Sequence, residues 1–221
     1  MLTGNRLILV LALAAVLVSR RVEAQGSARP QSGDDERPAD ERLSPRYSLS
    51  DWMRSQTAQR MGIEQRPSPA QVGAMEWASG FLERLSDAAG VRLRITGGWR
   101  SPALNDAVGG SKRCPGGAAA TSQLAYDRGC GSDHMSNPAG SRIGVDVMAS
   151  GYSSRELAEL VARVAAAEGM PIAQIVHYQT GRSNHTHLSF RRSVGGREVL
   201  FAPVGGGYEV DSDLTELLRG D

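Results

Sequence analysis

The sequence predicts an α+β fold, with a small, mostly antiparallel sheet and helices packed on one side of it. Helical patterns come first along the chain, and most strand patterns then follow one another with a single long helix among them. This order is typical of α+β domains, whereas doubly wound sheets alternate strands with helices. Setting the N-terminal segments aside leaves about 170 residues, which is enough for one domain with one core.

Residues 1–24 predict a signal peptide. Arg6 supplies the basic start, Leu7 to Val18 is an unbroken apolar run, and Val22-Glu23-Ala24 has small residues where signal peptidase cuts. Twelve apolar residues are short for a membrane span. An uncleaved N-terminal anchor is the alternative, because two arginines stand between the apolar run and the cleavage site. Either interpretation predicts export, to the periplasm or the extracellular space.

Residues 25–48 predict a disordered linker, and residues 49–221 predict the folded domain. The linker is rich in Pro, Ser and charged residues, and such a segment buries too little apolar surface to offset its ordering entropy. The signal peptide carries three arginines and one glutamate, so its removal changes the net charge from +1 to −1. A nearly neutral protein provides no electrostatic argument for nucleic acid or an anionic membrane as partner.

Four segments have the apolar spacing of helices. The first, residues 51–62, has Trp52, Met53 and Met61 as its packing side. The second follows Pro67-Ser68-Pro69 and ends at Gly90. The third starts with Ser101 and Pro102, and the fourth runs from Ser153 or Ser154 to Glu168.

Five segments have the apolar or alternating pattern of strands. They are residues 91–96, 143–148, 172–178, 187–191 and 198–201. Residues 111–141 form a long Gly- and Ser-rich excursion before the second strand.

Cys114 and Cys130 are the two cysteines of the chain. In an exported protein such a pair is expected to form a disulfide. Closing a loop of this length should stabilise the fold by roughly 3 kcal/mol, through the lost entropy of the unfolded chain. Metal ligation is the alternative, but the pair lacks the CxxC spacing of zinc sites.

The histidines and one buried aspartate suggest a metal site. His185 and His187 are two residues apart where the strand predicted over residues 187–191 begins, and the period of a strand puts their side chains on one face. Such a pair is also compatible with an ordinary half-exposed strand edge. His134 lies in a loop, and Asp146 lies between valines in a strand, where an unpaired carboxylate is costly. His134, Asp146 and His187 make a two-histidine, one-carboxylate set that Zn²⁺ accepts.

These segments together resemble the M15-type D-alanyl-D-alanine peptidases, a group with a hedgehog/DD-peptidase-like zinc domain. The resemblance rests on "ITGGWRSPALNDAVGGSK", "SDH", "GVDV" and "HTHLSF", in this order, and covers roughly residues 68–192. It implies zinc held by His134, Asp146 and His187. It also implies that Arg100 faces the substrate and that His185 is an unligated active-site histidine. The implied substrate is a D-Ala-containing peptide bond in a peptidoglycan stem peptide, cut by a carboxypeptidase or an endopeptidase.

Two features depart from that family. His134 and Asp146 are twelve residues apart, where the family usually has seven, and an inserted loop within "SNPAGS" accounts for the difference. Many members also carry a glutamate base where this chain has Tyr178, and a phenol with a pKa near 10 is a poor base at neutral pH. Either His177 or His185 then accepts the proton, or the domain binds cell-wall peptide without cutting it. An exported adaptor with no ligand is a third possibility.

Overall fold

The computed structural model describes residues 42–114, 116–179, 184–192, 197–204 and 207–220. The predicted signal peptide and most of the predicted linker lie outside these ranges. Among the helices within them, none combines the length and the hydrophobicity that a membrane crossing requires.

The described residues form seven α-helices and eight strands, joined by turns and one short 3₁₀ helix. The helices are α1 Leu49–Met53, α2 Gln56–Met61, α3 Pro69–Ala89, α4 Pro102–Ala107, α5 Ser122–Asp127, α6 Ser154–Glu168 and α7 Ser212–Arg219, and the 3₁₀ helix is Asp133–Met135. The strands are β1 Arg94–Gly97, β2 Arg113–Cys114, β3 Gly117–Ala118, β4 Arg142–Met148, β5 Ile172–Tyr178, β6 Thr186–Arg191, β7 Glu198–Ala202 and β8 Glu209–Val210.

Six of these strands form one sheet in the order β1-β4-β6-β5-β7-β8. Four of its five pairings are antiparallel, and the fifth, between β5 and β7, is parallel. The strands β2 and β3 form a separate hairpin. The prediction of an α+β fold is confirmed, and the sheet is mixed.

One face of the sheet forms the core against two long helices. On β4 the alternating residues Ile143, Val145 and Val147 are fully buried, as are Leu188 and Phe190 on β6. They join one apolar cluster with residues of α3 and α6, which include Met75, Leu82, Leu85, Leu157 and Val161. Because successive side chains alternate across a strand, Asp146 and His187 lie on the opposite face.

The two long helices begin and end as their sequence signals predict. Ser68 and Gln71 form a capping box at the start of α3, and Ser153 and Glu156 form another at the start of α6. Each helix then ends at a glycine.

The N-terminal part of the domain differs from the sequence prediction in two ways. Residues 51–62 form two short helices instead of one, because Arg54 is extended and Ser55 caps α2. The prediction that Met61 packs inward is wrong, since it is 58% exposed. The described end of the predicted linker, residues 42–48, packs on the domain: Tyr47 is buried, and Arg46 pairs with Glu83 of α3 at 2.9 Å.

The Gly- and Ser-rich excursion is more structured than its composition suggests. It contains the β2–β3 hairpin, α5 and the 3₁₀ helix. Cys114 and Cys130 form the expected disulfide, with their Cα atoms 5.2 Å apart. A small apolar cluster of Ala119, Ala125 and Met135 packs beside that disulfide. The disulfide and this cluster therefore support the loop from which His134 projects.

Candidate metal centre

Two neighbouring strands place Asp146 and His187 side by side. The two residues are direct partners in the antiparallel pairing of β4 with β6. Nδ1 of His187 lies 2.8 Å from Oδ1 of Asp146. Both side chains belong to the rigid centre of the sheet, so their relative position is set by the backbone register.

His134 reaches the same point from the 3₁₀ helix that precedes β4. Three hydrogen bonds hold this turn. The backbone amide of Arg100 donates to the carbonyl oxygen of His134. The side chains of Trp99 and Gln71 both donate to the carbonyl oxygen of Met135. Nε2 of His134 then lies 3.3 Å from Oδ1 of Asp146.

The three side chains lie close enough together to hold one metal ion. One ligand atom from each of His134, Asp146 and His187 lies within 4.8 Å of the other two, so the group could hold a metal ion. Tetrahedral zinc with ligands at about 2.0 Å separates neighbouring ligand atoms by about 3.3 Å. Nδ1 of His134 lies 2.8 Å from the carbonyl oxygen of Gly98, which only accepts. Nδ1 therefore carries the proton, and the lone pair of Nε2 faces the site.

Two glycines leave room for these side chains. A Cβ atom on Gly97 would lie 2.5 Å from Oδ2 of Asp146. A Cβ atom on Gly144 would lie 2.9 Å from Cε1 of His187 and 3.0 Å from Cβ of Asp133. Any larger residue at either position would displace a side chain of the site.

The electrostatic environment keeps Asp146 and His134 in the protonation states that metal binding needs. Burial alone would raise the pKa of Asp146, but His134 and His187 outweigh burial and hold that pKa well below its usual value. Burial lowers the pKa of His134. The site therefore offers a carboxylate and a neutral imidazole at neutral pH, and neither must lose a proton to coordinate.

Asp133 anchors the turn that carries His134. It is 9% exposed, and its Oδ2 accepts hydrogen bonds from Ser189 and from Arg191 of β6. Its Oδ1 pairs with Arg142 of β4 at 3.0 Å. Burial alone would raise the pKa of Asp133, but these partners outweigh it and lower that pKa. Asp133 therefore ties the turn to both strands that carry the other two candidate ligands.

A cleft of about 520 Å³ opens over the three ligands. Arg100, His185 and Tyr178 line it together with the ligands. Nε2 of His185 lies 3.9 Å from Oδ1 of Asp146, and its ring centre lies 4.6 Å from that of Tyr178. Nη2 of Arg100 lies 3.4 Å from Oδ2 of Asp146. The structure thus brings two of the three predicted catalytic residues, Arg100 and His185, to the candidate metal centre.

His177 is not at the site, so its predicted catalytic role requires correction. It lies on the helix-covered face of β5 and is 1% exposed. Its Nε2 lies 2.9 Å from Oδ2 of Asp211, the residue that caps α7. The alternation of side chains along β5 gives the physical reason, since the neighbouring Tyr178 faces the cleft.

A row of paired strand residues runs across the sheet from His187, and its members Val176 and Leu200 line the cleft. His187 is the register partner of Val176, which pairs with Leu200, which in turn pairs with Val210 at the sheet edge. Tyr208 also lines the cleft and is 62% exposed. The sequence contained this row as alternating strand residues, but only the pairing order shows that it leads to the metal centre.

No family model, curated protein or solved structure matches the chain. The resemblance to the M15-type peptidases therefore stays a prediction from the residues.

Proposed function

We propose that this chain is an exported zinc peptidase with a hedgehog/DD-peptidase-like domain, which hydrolyses D-Ala-containing bonds in peptidoglycan stem peptides. The observation that carries this proposal is the convergence of His134, Asp146 and His187 at the floor of an open cleft. The choice of substrate and the family rest on the sequence resemblance, and the choice of a hydrolytic metal site rests on the donor set.

The donor atoms suit zinc. Two imidazole nitrogens and one carboxylate oxygen form a common catalytic set, which leaves further positions for water and substrate. Zinc bound in such a site supplies Lewis acidity, which activates water and polarises a carbonyl group. The proton donated by His134 to the Gly98 carbonyl orients the ring, as supporting hydrogen bonds do in many metal sites.

Arg100 is placed to orient the substrate. Burial lowers the pKa of its guanidinium, but that group remains a cation at neutral pH because an arginine starts so far above it. Its side chain is 23% exposed and lines the cleft beside Asp146. A planar guanidinium there forms charge-assisted hydrogen bonds to a substrate carboxylate or carbonyl oxygen.

His185 is the best-placed proton acceptor. Burial lowers the pKa of its imidazole, which is therefore neutral at neutral pH and able to take a proton. Among the described residues that line the cleft, Asp133 and Asp146 are the only carboxylates. Asp133 is bound to Ser189 and two arginines, and Asp146 is a ligand, so neither is available as a base.

The rival function is a cell-wall peptide-binding domain that does not hydrolyse. Tyr178 favours it, because this residue faces the cleft at the position where the resembled peptidases carry their glutamate base. The two functions share the metal site and differ only in turnover.

Separating metal binding from turnover tests the proposal. Purified protein should contain close to one zinc ion per chain, and both His187→Ala and Asp146→Ala should remove it. His185→Ala should keep zinc but cleave defined muropeptides roughly 10²- to 10⁴-fold more slowly, as measured by mass spectrometry. His177→Gln is the matched histidine control, which should change neither quantity because His177 lies on the other face of the sheet.

Two outcomes would contradict the peptidase proposal. Unchanged zinc content in His187→Ala would refute the ligand set. If the wild-type protein binds zinc and muropeptide but releases no product over long incubation, the peptidase proposal is wrong and the peptide-binding domain is the function that stands. In that case Tyr178→Glu, which introduces the missing carboxylate, is expected to produce cleavage.

A further inference from the structure

A second cleft of about 450 Å³ lies next to the metal centre and carries three arginines. The start of α2, strand β1 and the turn before α4 line it. Arg54, Arg94 and Arg100 are among its lining residues, and no acidic residue is among the described residues of its wall. We call it the arginine cleft.

The positive charge of the arginine cleft is only partly compensated. Nη2 of Arg54 lies 3.6 Å from Asp51, which also pairs with Arg92 outside the cleft at 3.0 Å. Within the described part of the chain Arg94 has no acidic partner, and its Nη2 contacts the sulfur of Met148 at 3.4 Å. Arg100 shares Asp146 with three histidines. Like charges gathered in a concave wall attract an anion.

Arg100 also lines the metal cleft, so the two clefts meet at this residue. A molecule that occupies both would place its reacting bond at the metal centre and its anionic group among the arginines. A peptide offers carboxylates for this purpose, and the fork of a guanidinium matches the two oxygens of a carboxylate.

We infer that the arginine cleft binds a carboxylate of the peptide whose bond lies at the metal centre. This inference rests on the proposed function and deepens it, because it predicts preference for an acidic peptide. The carboxylate has two possible sources, the C-terminus of the peptide and an acidic side chain within it.

Three synthetic peptides distinguish these sources. They are a stem pentapeptide ending in D-Ala-D-Ala, the same peptide with a C-terminal amide, and the same peptide with its glutamate carboxylate amidated. Affinity is measured by titration calorimetry with the His185→Ala protein, which is expected to leave the peptides intact. The peptide that lacks the recognised carboxylate should bind about tenfold more weakly than the parent, and its affinity should respond less to salt.

Substitutions then locate the effect. Arg54→Gln and Arg94→Gln should each weaken binding of the parent peptide roughly threefold, and the double variant about tenfold, because both side chains are largely exposed. Neither change should affect the peptide without the recognised carboxylate. Arg60→Gln is the matched control, since Arg60 is an exposed arginine of the same helix α2 that does not line the cleft.

Each result decides the inference. Equal affinity for all three peptides, no binding of any peptide, or equal loss in Arg60→Gln and Arg54→Gln would overturn it. Failure of the proposed function is seen separately, as absence of product from the wild-type protein while the order of affinities among peptides persists.

Discussion

Asp133→Asn tests how the candidate metal centre is held together. Asp133 is the one carboxylate shared by Ser189, Arg142 and Arg191, and it is almost fully buried. Asparagine keeps the shape of the side chain but removes its charge. Arg142 would lose its acidic partner, and its Nε and Nη2 atoms already have no hydrogen-bond partner.

The magnitude follows from burial. Removing one partner of a buried ion pair costs about 3–5 kcal/mol, because the other charge stays behind. Arg191 is 40% exposed and can turn to water, so the lower end, about 3 kcal/mol, is expected. Since the turn that carries His134 also loses its anchor, affinity for Zn²⁺ should fall by about 10- to 100-fold, as when supporting partners of metal ligands are removed.

Two measurements check this expectation. Urea denaturation with EDTA present gives the free energy of unfolding without a contribution from metal, and competition with a chelator gives the affinity for Zn²⁺. Asp127→Asn is the control, because Asp127 is an exposed carboxylate at the end of α5 that accepts a bond from Gln123. That variant should stay within about 0.5 kcal/mol of wild type. If Asp133→Asn behaves in the same way, Asp133 is not the anchor.

Two further predictions concern stability. Replacing Cys114 and Cys130 by serine should lower the free energy of unfolding by about 3 kcal/mol and weaken Zn²⁺ binding through His134, while circular dichroism keeps the signal of α3 and α6; an unchanged denaturation midpoint would contradict this. Burial lowers the pKa of His177 in the fold, against the opposing effect of Asp211. Between pH 7 and pH 5 the unfolded chain therefore binds more protons at His177 than the folded chain does. The free energy of unfolding consequently decreases as the pH is lowered. His177→Gln should make the free energy of unfolding depend less on pH in this range. If it depends on pH as steeply as in the wild type, His177 is not the group responsible.

Most of the large helices and strands could be predicted, because the spacing of their apolar residues matches the side of the element that is buried. The stripe of α3 and the alternation of β4 both describe one buried side, and both elements lie within about two residues of their predicted bounds. The helix α7 was missed although its signals are present: Asp211 caps it, Gly220 ends it, and Leu214 and Leu218 are buried. Its eight residues are short, and β8 before it has two, so neither gives a strong periodic pattern.

Pairing order could not be predicted from the strands alone. The parallel contact of β5 with β7 depends on where the chain crosses, and local sequence does not encode that path. The row of paired strand residues from His187 to Val210 exists only because of this order. The cleft beyond the metal centre was therefore not visible in the sequence, although each of its residues was.

The sequence alone is enough to exclude His177 from the cleft. The resemblance places Tyr178 at a cleft-facing position, and a base at His177 would have to face the same cleft. Adjacent residues of a regular strand point to opposite faces, so the two assignments exclude each other. His185 and His187 both line the cleft as predicted, although His185 precedes β6, which begins at Thr186.

The convergence of the three candidate ligands could be predicted, but the contacts that position them could not. Asp146 and His187 lie in strands with clear patterns, whereas His134 is on a turn whose position depends on Asp133, on the carbonyl oxygen of Gly98 and on contacts from α3. Those contacts join residues far apart in sequence and leave no local pattern. His134 is therefore the candidate ligand whose position is most easily changed. A substitution among the residues that hold its turn moves the His134 imidazole, while the sheet keeps Asp146 and His187 in place. For this reason loss of affinity in Asp133→Asn, with Asp146 and His187 intact, would show that the third ligand is positioned by the fold around it.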